Sequence, residues 1–196
     1  MNTHLHRILA LLLFGGPSLT LSEELPSSDE IVALTHQLTE NYFSEFQHPD
    51  TGILYGARLS GRDHWTSPED IRKELPKPWG YGSRIADTVL HTGHMLVALI
   101  DAWEARPDPI LEEQIPRHFQ ALQFIGSLPE THPKPGKPDL VGLVPRGPHP
   151  DDSSAYFDDS SMDQHTTYII SLSVYANSPL ASTEDQAWIR DSLGKV

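Results

Sequence analysis

The sequence contains no cysteine among its 196 residues. This absence excludes a disulfide framework, a cysteine nucleophile, a thiolate metal site and a lipidated cysteine. Basic residues are also scarce, because 14 Lys and Arg stand against 27 Asp and Glu, giving a formal net charge of −13. Binding to nucleic acid or to an anionic membrane needs clustered Lys and Arg, and no such cluster is present. We therefore expect neither as a partner.

The sequence also lacks a long hydrophobic run. The apolar segment 8–14 is much shorter than the roughly 18 to 20 residues of a membrane-spanning helix, and no later segment approaches that length. Arg7 precedes this segment, and Gly15, Gly16 and small residues follow it, which is the layout of a secretory signal peptide. We predict a signal peptide over residues 1–22. The mature chain is then exported, to the periplasm or the extracellular space, with no membrane contact after cleavage.

Helical patterning accounts for most of the mature chain. Apolar residues recur at helical spacing, and loops rich in Pro and Gly separate the helical segments. The predicted helices cover about residues 27–48, 67–76, 85–105, 111–125, 160–176 and 182–193. Pro116 predicts a kink or a new first turn inside the fourth of them. Strand-like alternation is scarce, and only 52–59 allows a short hairpin or extended piece, so the sequence predicts an all-α fold.

The helix predicted over 85–105 has a single polar stripe. Its apolar stripe consists of Ile85, Val89, Leu96, Ile100 and Trp103, which share a narrow arc at 100° per residue. Asp87, His91 and His94 fall on the opposite side. The segment 85–103 contains no Lys, Arg or Glu, which a solvated face normally carries. We interpret the helix as covered on most sides, with a polar stripe that is a candidate functional site. The alternative for the two histidines is an ordinary hydrogen-bonded place in the core.

A second polar cluster lies at the start of the helix predicted over 160–176. It consists of Asp158, Asp159 and Asp163. The core stripe predicted for this helix is Met162, Ile169, Leu172 and Ala176. Carboxylates at a helix start are also favoured by the helix dipole and the free backbone N–H groups. Helix capping alone is therefore the alternative to a functional role for these three aspartates.

Two segments of the chain resemble a known family. Residues 79–84 (Trp-Gly-Tyr-Gly-Ser-Arg) lead into the polar stripe at 87–94, and the loop 145–147 (Pro-Arg-Gly) leads to 158–164. Over about residues 28–193 the chain resembles the six-hairpin glycosidase-like proteins. The resemblance implies an (α/α)6 toroid of antiparallel helical hairpins that acts on carbohydrate. Since the sequence predicts only about half of the six hairpins, the expectation is a partial toroid that lacks a C-terminal half.

The resemblance also implies roles for the polar residues. Glycosidic cleavage uses one carboxylic acid to protonate the leaving oxygen and one carboxylate to activate water or attack the sugar. By position the implied catalytic residues are Asp87 with one of Asp158, Asp159 or Asp163, of which Asp163 and Asp159 are preferred, and either member of the pair fits the role of acid. Histidines would hold sugar hydroxyls, aromatic rings would stack on sugar rings, and arginines would bind a uronate carboxylate. The implied substrate-binding residues are His91, His94, His165, Trp79, Tyr81, Arg84 and Arg146.

Two other functions stay open from the residues themselves. Asp87, His91 and His94 share one helix face and are suitable ligands for zinc or manganese, although neither an HExxH motif nor a cysteine set is present. The acidic loop 151–163 suggests a non-catalytic glycan-binding or calcium-structured module, although its spacing differs from an EF-hand. We favour the carbohydrate-active enzyme, with a carbohydrate substrate as partner and without a metal or another cofactor.

Overall fold

A computed structural model describes residues 27–61, 65–77, 80–137 and 140–196. The predicted signal peptide and Trp79 lie outside these residues. The contacts divide the chain into two units, 1–37 and 38–196. All the described residues of the candidate site belong to the second unit.

Helices dominate the described residues, so the predicted all-α class is confirmed. The elements are α1 (Ser28–Phe46), α2 (Pro68–Arg72), α3 (Thr88–Ala105), α4 (Pro109–Thr131), β1 (Pro148–His149), β2 (Asp152–Tyr156), α5 (Met162–Asn177) and α6 (Thr183–Leu193). Strands β1 and β2 form an antiparallel pair with an irregularity between Pro148 and His149. Within the described ranges, no helix combines the length and apolarity required to cross a bilayer.

The helix starts follow their local sequence. Ser67 caps α2, Asp108 caps α4, and Ser182 forms a capping box with Asp185 at the start of α6. Helix α4 starts at Pro109 and continues through Pro116, so this second proline does not begin a new helix. By contrast, α3 and α5 start without a side-chain cap. These two are the helices that carry the candidate site.

The apolar stripe predicted for α3 is confirmed. Its four aliphatic members are buried, and Trp103 packs at the edge of the core. Helix α3 contacts both α4 and α5, α4 and α5 contact each other, and α5 also contacts α6. The extended piece predicted near 52–59 is present as a buried segment with a single bridge between Gln47 and Leu54. There the Leu54 N–H donates to the Thr92 hydroxyl of α3 at 3.1 Å.

The core stripe predicted for α5 is correct for Leu172, which is buried, and for Ala176, which packs against the core, but wrong for Met162 and Ile169. Met162 is 84% exposed and Ile169 is 40% exposed. The buried residues of α5 are Gln164, Thr167, Tyr168, Ser171, Leu172 and Tyr175. The reason is the close approach of α3, because a Cβ atom on Gly93 would lie 2.8 Å from Thr167 Cγ2 and 3.0 Å from Ser171 Oγ. Small hydroxyl side chains allow this distance, whereas larger apolar side chains would hold the helices apart.

Candidate functional site

A buried arginine lies between two carboxylates. Arg146 has a side chain that is only 4% exposed, with Nη1 3.6 Å from Asp87 Oδ1 and Nε 3.4 Å from Asp159 Oδ1. The two aspartate side chains are 42% and 35% exposed. Because both contact one guanidinium, their carboxyl oxygens lie less than about 10 Å apart, which is about the largest separation that glycosidases use. We call Asp87, Arg146 and Asp159 the arginine cluster.

The loop that carries Arg146 is fixed to the start of α3. The Arg146 carbonyl accepts hydrogen bonds from the Thr88 backbone N–H at 3.3 Å and from the Thr88 hydroxyl at 2.7 Å. The next residue, Gly147, has φ +137°, and a Cβ atom there would overlap the Thr88 hydroxyl. Glycine is therefore required at this position for the loop to approach the helix. This contact holds Arg146 beside Asp87.

Asp87 precedes the first residue of α3 but does not cap the helix with its side chain. Its Oδ1 atom instead accepts a hydrogen bond from Gln164 Nε2 at 3.1 Å. Gln164 is fully buried on α5, and its amide also donates to the Ala86 carbonyl at 3.4 Å. The side chain of Asp87 is therefore held by α5 and does not cap α3. The role of Gln164 was not predicted from the sequence, although a polar residue in a weakly charged helix is a signal for it.

Asp159 lies between β2 and α5 in surroundings that favour the protonated carboxyl. Burial raises the pKa of Asp159, the charge of Asp158 raises it further, and the charge of Arg146 opposes the shift. Neither Asp159 Oδ1 nor Arg146 Nε makes a hydrogen bond within the described part of the chain. The two groups interact as a close ion pair without hydrogen-bond geometry. Asp159 is thus a carboxyl group that retains its proton to a higher pH than an ordinary aspartate.

Asp163 lies in the first turn of α5 and is exposed. Its Oδ1 atom accepts hydrogen bonds from the Ser161 hydroxyl and from the Gln164 backbone N–H. The Ser161 hydroxyl is the main cause of the lowered pKa of Asp163, with a smaller contribution from the charge of Arg146. Asp163 is therefore near the arginine cluster, but its direct partners are those of a helix-start carboxylate.

The predicted histidines lie on the same two helices. His91 is half-buried, and burial lowers its pKa, with Asp87 opposing this shift and His94 adding to it. His94 is exposed. His165 is half-buried on α5, and burial lowers its pKa as well. His91 and His165 therefore favour the neutral form. In that form one ring nitrogen can donate a hydrogen bond and the other can accept one.

The structure does not support either metal-binding alternative. Across the described ranges, no three His, Asp or Glu side chains come together in an arrangement that would hold a metal ion. The set Asp87, His91 and His94 on α3 therefore does not form such an arrangement, and neither do the acidic side chains of the loop 151–163.

Of the other predicted binding residues, Tyr81 is the one in contact with the arginine cluster. Its side chain is 59% exposed, and its ring lies 5.7 Å from the Arg146 guanidinium. This separation is typical of a cation–π contact. Arg84 is exposed and has φ +75°. Trp79 cannot be compared, since it lies outside the described residues.

A second charged group lies beside the arginine cluster. Asp158 has a side chain that is 5% exposed, with Lys137 Nζ 2.8 Å from its Oδ2 atom and Lys134 Nζ 3.8 Å from its Oδ1 atom. Lys137 also donates to Glu74 Oε1 at 3.3 Å. We call Glu74, Lys134, Lys137 and Asp158 the lysine cluster. Neither Lys134 nor Lys137 was predicted as a site residue, because nothing in the local sequence pattern indicates such a role.

Comparison with known proteins finds no matching family model, no matching curated protein and no matching solved structure. The likeness to six-hairpin glycosidases therefore depends on the sequence motifs alone. The geometry of the arginine cluster comes from the structure and does not depend on those motifs.

Proposed function

We propose that the arginine cluster is the catalytic centre of an exported, carbohydrate-active enzyme of glycoside hydrolase type. The observation that carries the proposal is the pair of half-exposed carboxylates on one buried guanidinium. The two carboxylates have unlike surroundings, since Asp159 is desolvated and Asp87 accepts a hydrogen bond from Gln164. Two carboxyl groups in unlike environments are the usual arrangement for acid and base roles.

In the proposed reaction Asp159 is the general acid. Burial raises its pKa, so it holds the proton that it transfers to the glycosidic oxygen as the bond to the sugar carbon breaks. Asp87 acts on the other side of that carbon, either by taking a proton from the attacking water or by attacking the carbon itself. In both cases the proton given up by Asp159 leaves with the released alcohol. If Asp87 takes the proton of the attacking water, it releases that proton to solvent and Asp159 takes one up. If Asp87 attacks the carbon, a water molecule then breaks the resulting ester and gives its proton to Asp159.

Arg146 has a positioning role in this scheme. Its guanidinium is almost completely buried and is engaged by Asp87 and Asp159. A substrate carboxylate would have to compete with both aspartates for it. We therefore assign Arg146 to hold the carboxyl groups at a fixed separation, and not to bind a uronate. The exposed ring of Tyr81 beside it is the surface on which a sugar ring would stack.

We also propose that the helices form part of an α/α toroid. Support comes from the contacts between neighbouring helices: α3 with α4 and α5, α4 with α5, and α5 with α6. Exposed apolar side chains on α5, including Met162, Ile169 and Ile170, fit a seam that further helices would cover.

The test is a rate measurement on a panel of aryl glycosides and polysaccharides. Asp87→Asn keeps the shape of the side chain and removes its negative charge, so we expect a loss of about 10² to 10⁴ in rate. Asp101→Asn is the matched control, because Asp101 is an exposed aspartate on the same helix. An active wild type with an equally active Asp87→Asn variant would rule out the assigned role.

A further inference from the structure

A cavity of about 510 Å³ opens beside the lysine cluster. Its volume lies within the usual range for small-molecule sites, roughly 300 to 1,000 Å³. The charged and hydroxyl groups of its wall are Arg72, Glu74, Thr131, Lys134, Lys137 and Ser154. Two exposed cations, Arg72 and Lys137, thus face one carboxylate, and the buried Lys134 ammonium adds a third positive charge, in a protein whose net charge is −13.

Two further carboxylates pair with these cations without lining the cavity in the described part of the chain. Asp158 is 5% exposed and pairs with both lysines, while Asp152 pairs with Arg72. The surface that a ligand meets is therefore richer in positive charge than the group as a whole. Such a surface favours an anionic ligand.

Two of the cations have donors to spare. An ammonium carries three N–H groups, and Lys137 directs its Nζ to Asp158 and to Glu74. Arg72 makes its hydrogen bonds to Asp152 and Ser154 through Nη2 in the described part of the chain. A guanidinium carries five N–H groups in a planar fork that fits a carboxylate. Both side chains are 46% exposed, so they are the groups that a ligand can contact.

Lys134 contributes in a different way. Its side chain is 13% exposed, and its ammonium is buried without a hydrogen bond within the described ranges. It lies 3.8 Å from Asp158 and 3.9 Å from Glu74, and 4.9 Å from the centre of the Tyr156 ring. Its charge therefore acts from behind the wall of the cavity.

Asp158 connects the wall of the cavity to the proposed acid. Asp158 of the lysine cluster and Asp159 of the arginine cluster are consecutive, and the charge of Lys134 acts on the Asp159 carboxyl group. The cavity wall is therefore separated from the proposed acid by one residue, Asp158. Arg146 is not available for a substrate carboxylate, because its side chain is only 4% exposed.

We infer that this cavity is the subsite for the negatively charged group of the substrate, and that the substrate is an acidic saccharide carrying a uronate carboxylate. Arg72 and Lys137 contact the carboxylate, and Lys134 supplies charge from behind. The inference depends on the proposed function, because a subsite has meaning only beside a reacting group.

The test compares two sugars of the same shape. Binding of D-glucuronate and of D-glucose is measured by NMR titration on the wild-type chain, with inorganic phosphate as a third ligand. We expect glucuronate to bind more tightly than either glucose or phosphate. Lys137→Gln should weaken glucuronate binding by about tenfold, since one charge-assisted hydrogen bond is lost. Lys73→Gln is the matched control, because Lys73 is exposed, pairs with Glu69 and does not line the cavity.

Equal binding of glucose and glucuronate would overturn the inference. Equal binding of phosphate and glucuronate would also overturn it, since the cavity would then recognise an anion and no sugar. If Lys137→Gln does not fold, Arg72→Gln provides the same test from an exposed side chain. Glucuronate binding that depends on Lys137, in a chain that cleaves no glycoside, would refute the proposed function and the subsite role with it, and would leave only a binding site for an acidic sugar. Cleavage of neutral glycosides with no effect of Lys137→Gln would refute the subsite alone.

Discussion

Asp158 and Asp159 are neighbours in the sequence, yet the two clusters shift their pKa values in opposite directions. Burial favours the neutral form of both side chains. For Asp158, the close contact with Lys137 at 2.8 Å and the charges of Lys134 and Lys137 outweigh burial, so its pKa is lowered. For Asp159, the charges of Arg146 and Lys134 do not outweigh burial and the charge of Asp158, so its pKa is raised. A cation at hydrogen-bonding distance therefore distinguishes the structural carboxylate from the candidate acid, whose cation lies 3.4 Å away without a hydrogen bond within the described residues.

The largest expected effect is on the rate. Asp159→Asn should lower glycoside hydrolysis by about 10² to 10⁴, because the side chain can no longer donate a proton to the leaving oxygen. Asp158→Asn should retain a rate much closer to that of the wild type. Steady-state kinetics on the same substrate compare the two variants. If Asp158→Asn were the more damaging change, the roles assigned to the two neighbours would be reversed.

The next effect is on stability, and here Asp158 is the more sensitive residue. Asp158→Asn leaves Lys134 buried with one charged partner fewer, which should cost on the order of 3 kcal/mol in the free energy of unfolding. Asp159→Asn should cost less, since the carboxylate is more exposed and disfavoured by burial. Urea denaturation of both variants measures the difference. Equal losses would show that the lysine cluster is no more structural than the arginine cluster.

A glycine in each cluster's loop provides a third comparison. Gly147 and Gly136 both have positive φ, but a Cβ atom on Gly147 would overlap Thr88, whereas nothing lies near Gly136. Gly147→Ala should therefore cost about 2 to 3 kcal/mol, and Gly136→Ala about 1 kcal/mol for backbone strain alone. Thermal or urea unfolding gives both values. A tolerated Gly147→Ala would mean that the Arg146 loop is not held against α3 as the structure has it.

The opposite pKa shifts also predict opposite effects of pH on stability. Because the pKa of Asp159 is raised, its contribution to stability is full below the ordinary aspartate pKa of about 3.9 and is lost as the pH rises through the folded-state value. Because the pKa of Asp158 is lowered, its contribution is full above the ordinary value and is lost as the pH falls through the folded-state value. Unfolding free energies of the two Asn variants across the acidic range should diverge from the wild type in opposite directions.

The smallest effect is expected for Asp163. Asp163→Ala removes a helix-start carboxylate that accepts hydrogen bonds from Ser161 and Gln164. The expected loss is at most about 1 kcal/mol in the free energy of unfolding, with little change in rate. Circular dichroism at rising temperature, together with the glycoside assay, measures both. A rate loss as large as that of Asp159→Asn would return Asp163 to the catalytic pair.

Helical periodicity predicted the fold well where packing follows it. The buried stripe of α3 has its apolar residues at helical spacing, and the prediction is confirmed. In the stripe of α5, Met162 and Ile169 were misplaced. Gly93 allows α3 and α5 to approach closely, so Thr167 and Ser171 occupy the contact between them. The hairpin of β1 and β2 was not predicted either, since it is too short to show an alternating pattern.

The candidate site was predictable only in part. The motifs around Asp87 and Asp159 were visible, and the structure brings these residues to one guanidinium. Nothing in the sequence indicated that Arg146 would lie between them, because that contact joins segments far apart in the chain. The lysine cluster had no local signature for the same reason. Residue spacing reports contacts within one element, whereas both clusters depend on contacts between elements.

The most direct test of the account is the titration of the two neighbouring carboxyl groups in one sample. Carbon-detected NMR of the aspartate side chains follows Asp158 and Asp159 separately as the pH is lowered. The account predicts a pKa above about 3.9 for Asp159 and below it for Asp158. An Asp159 value at or below that of Asp158 would contradict the assignment of Asp159 as the acid.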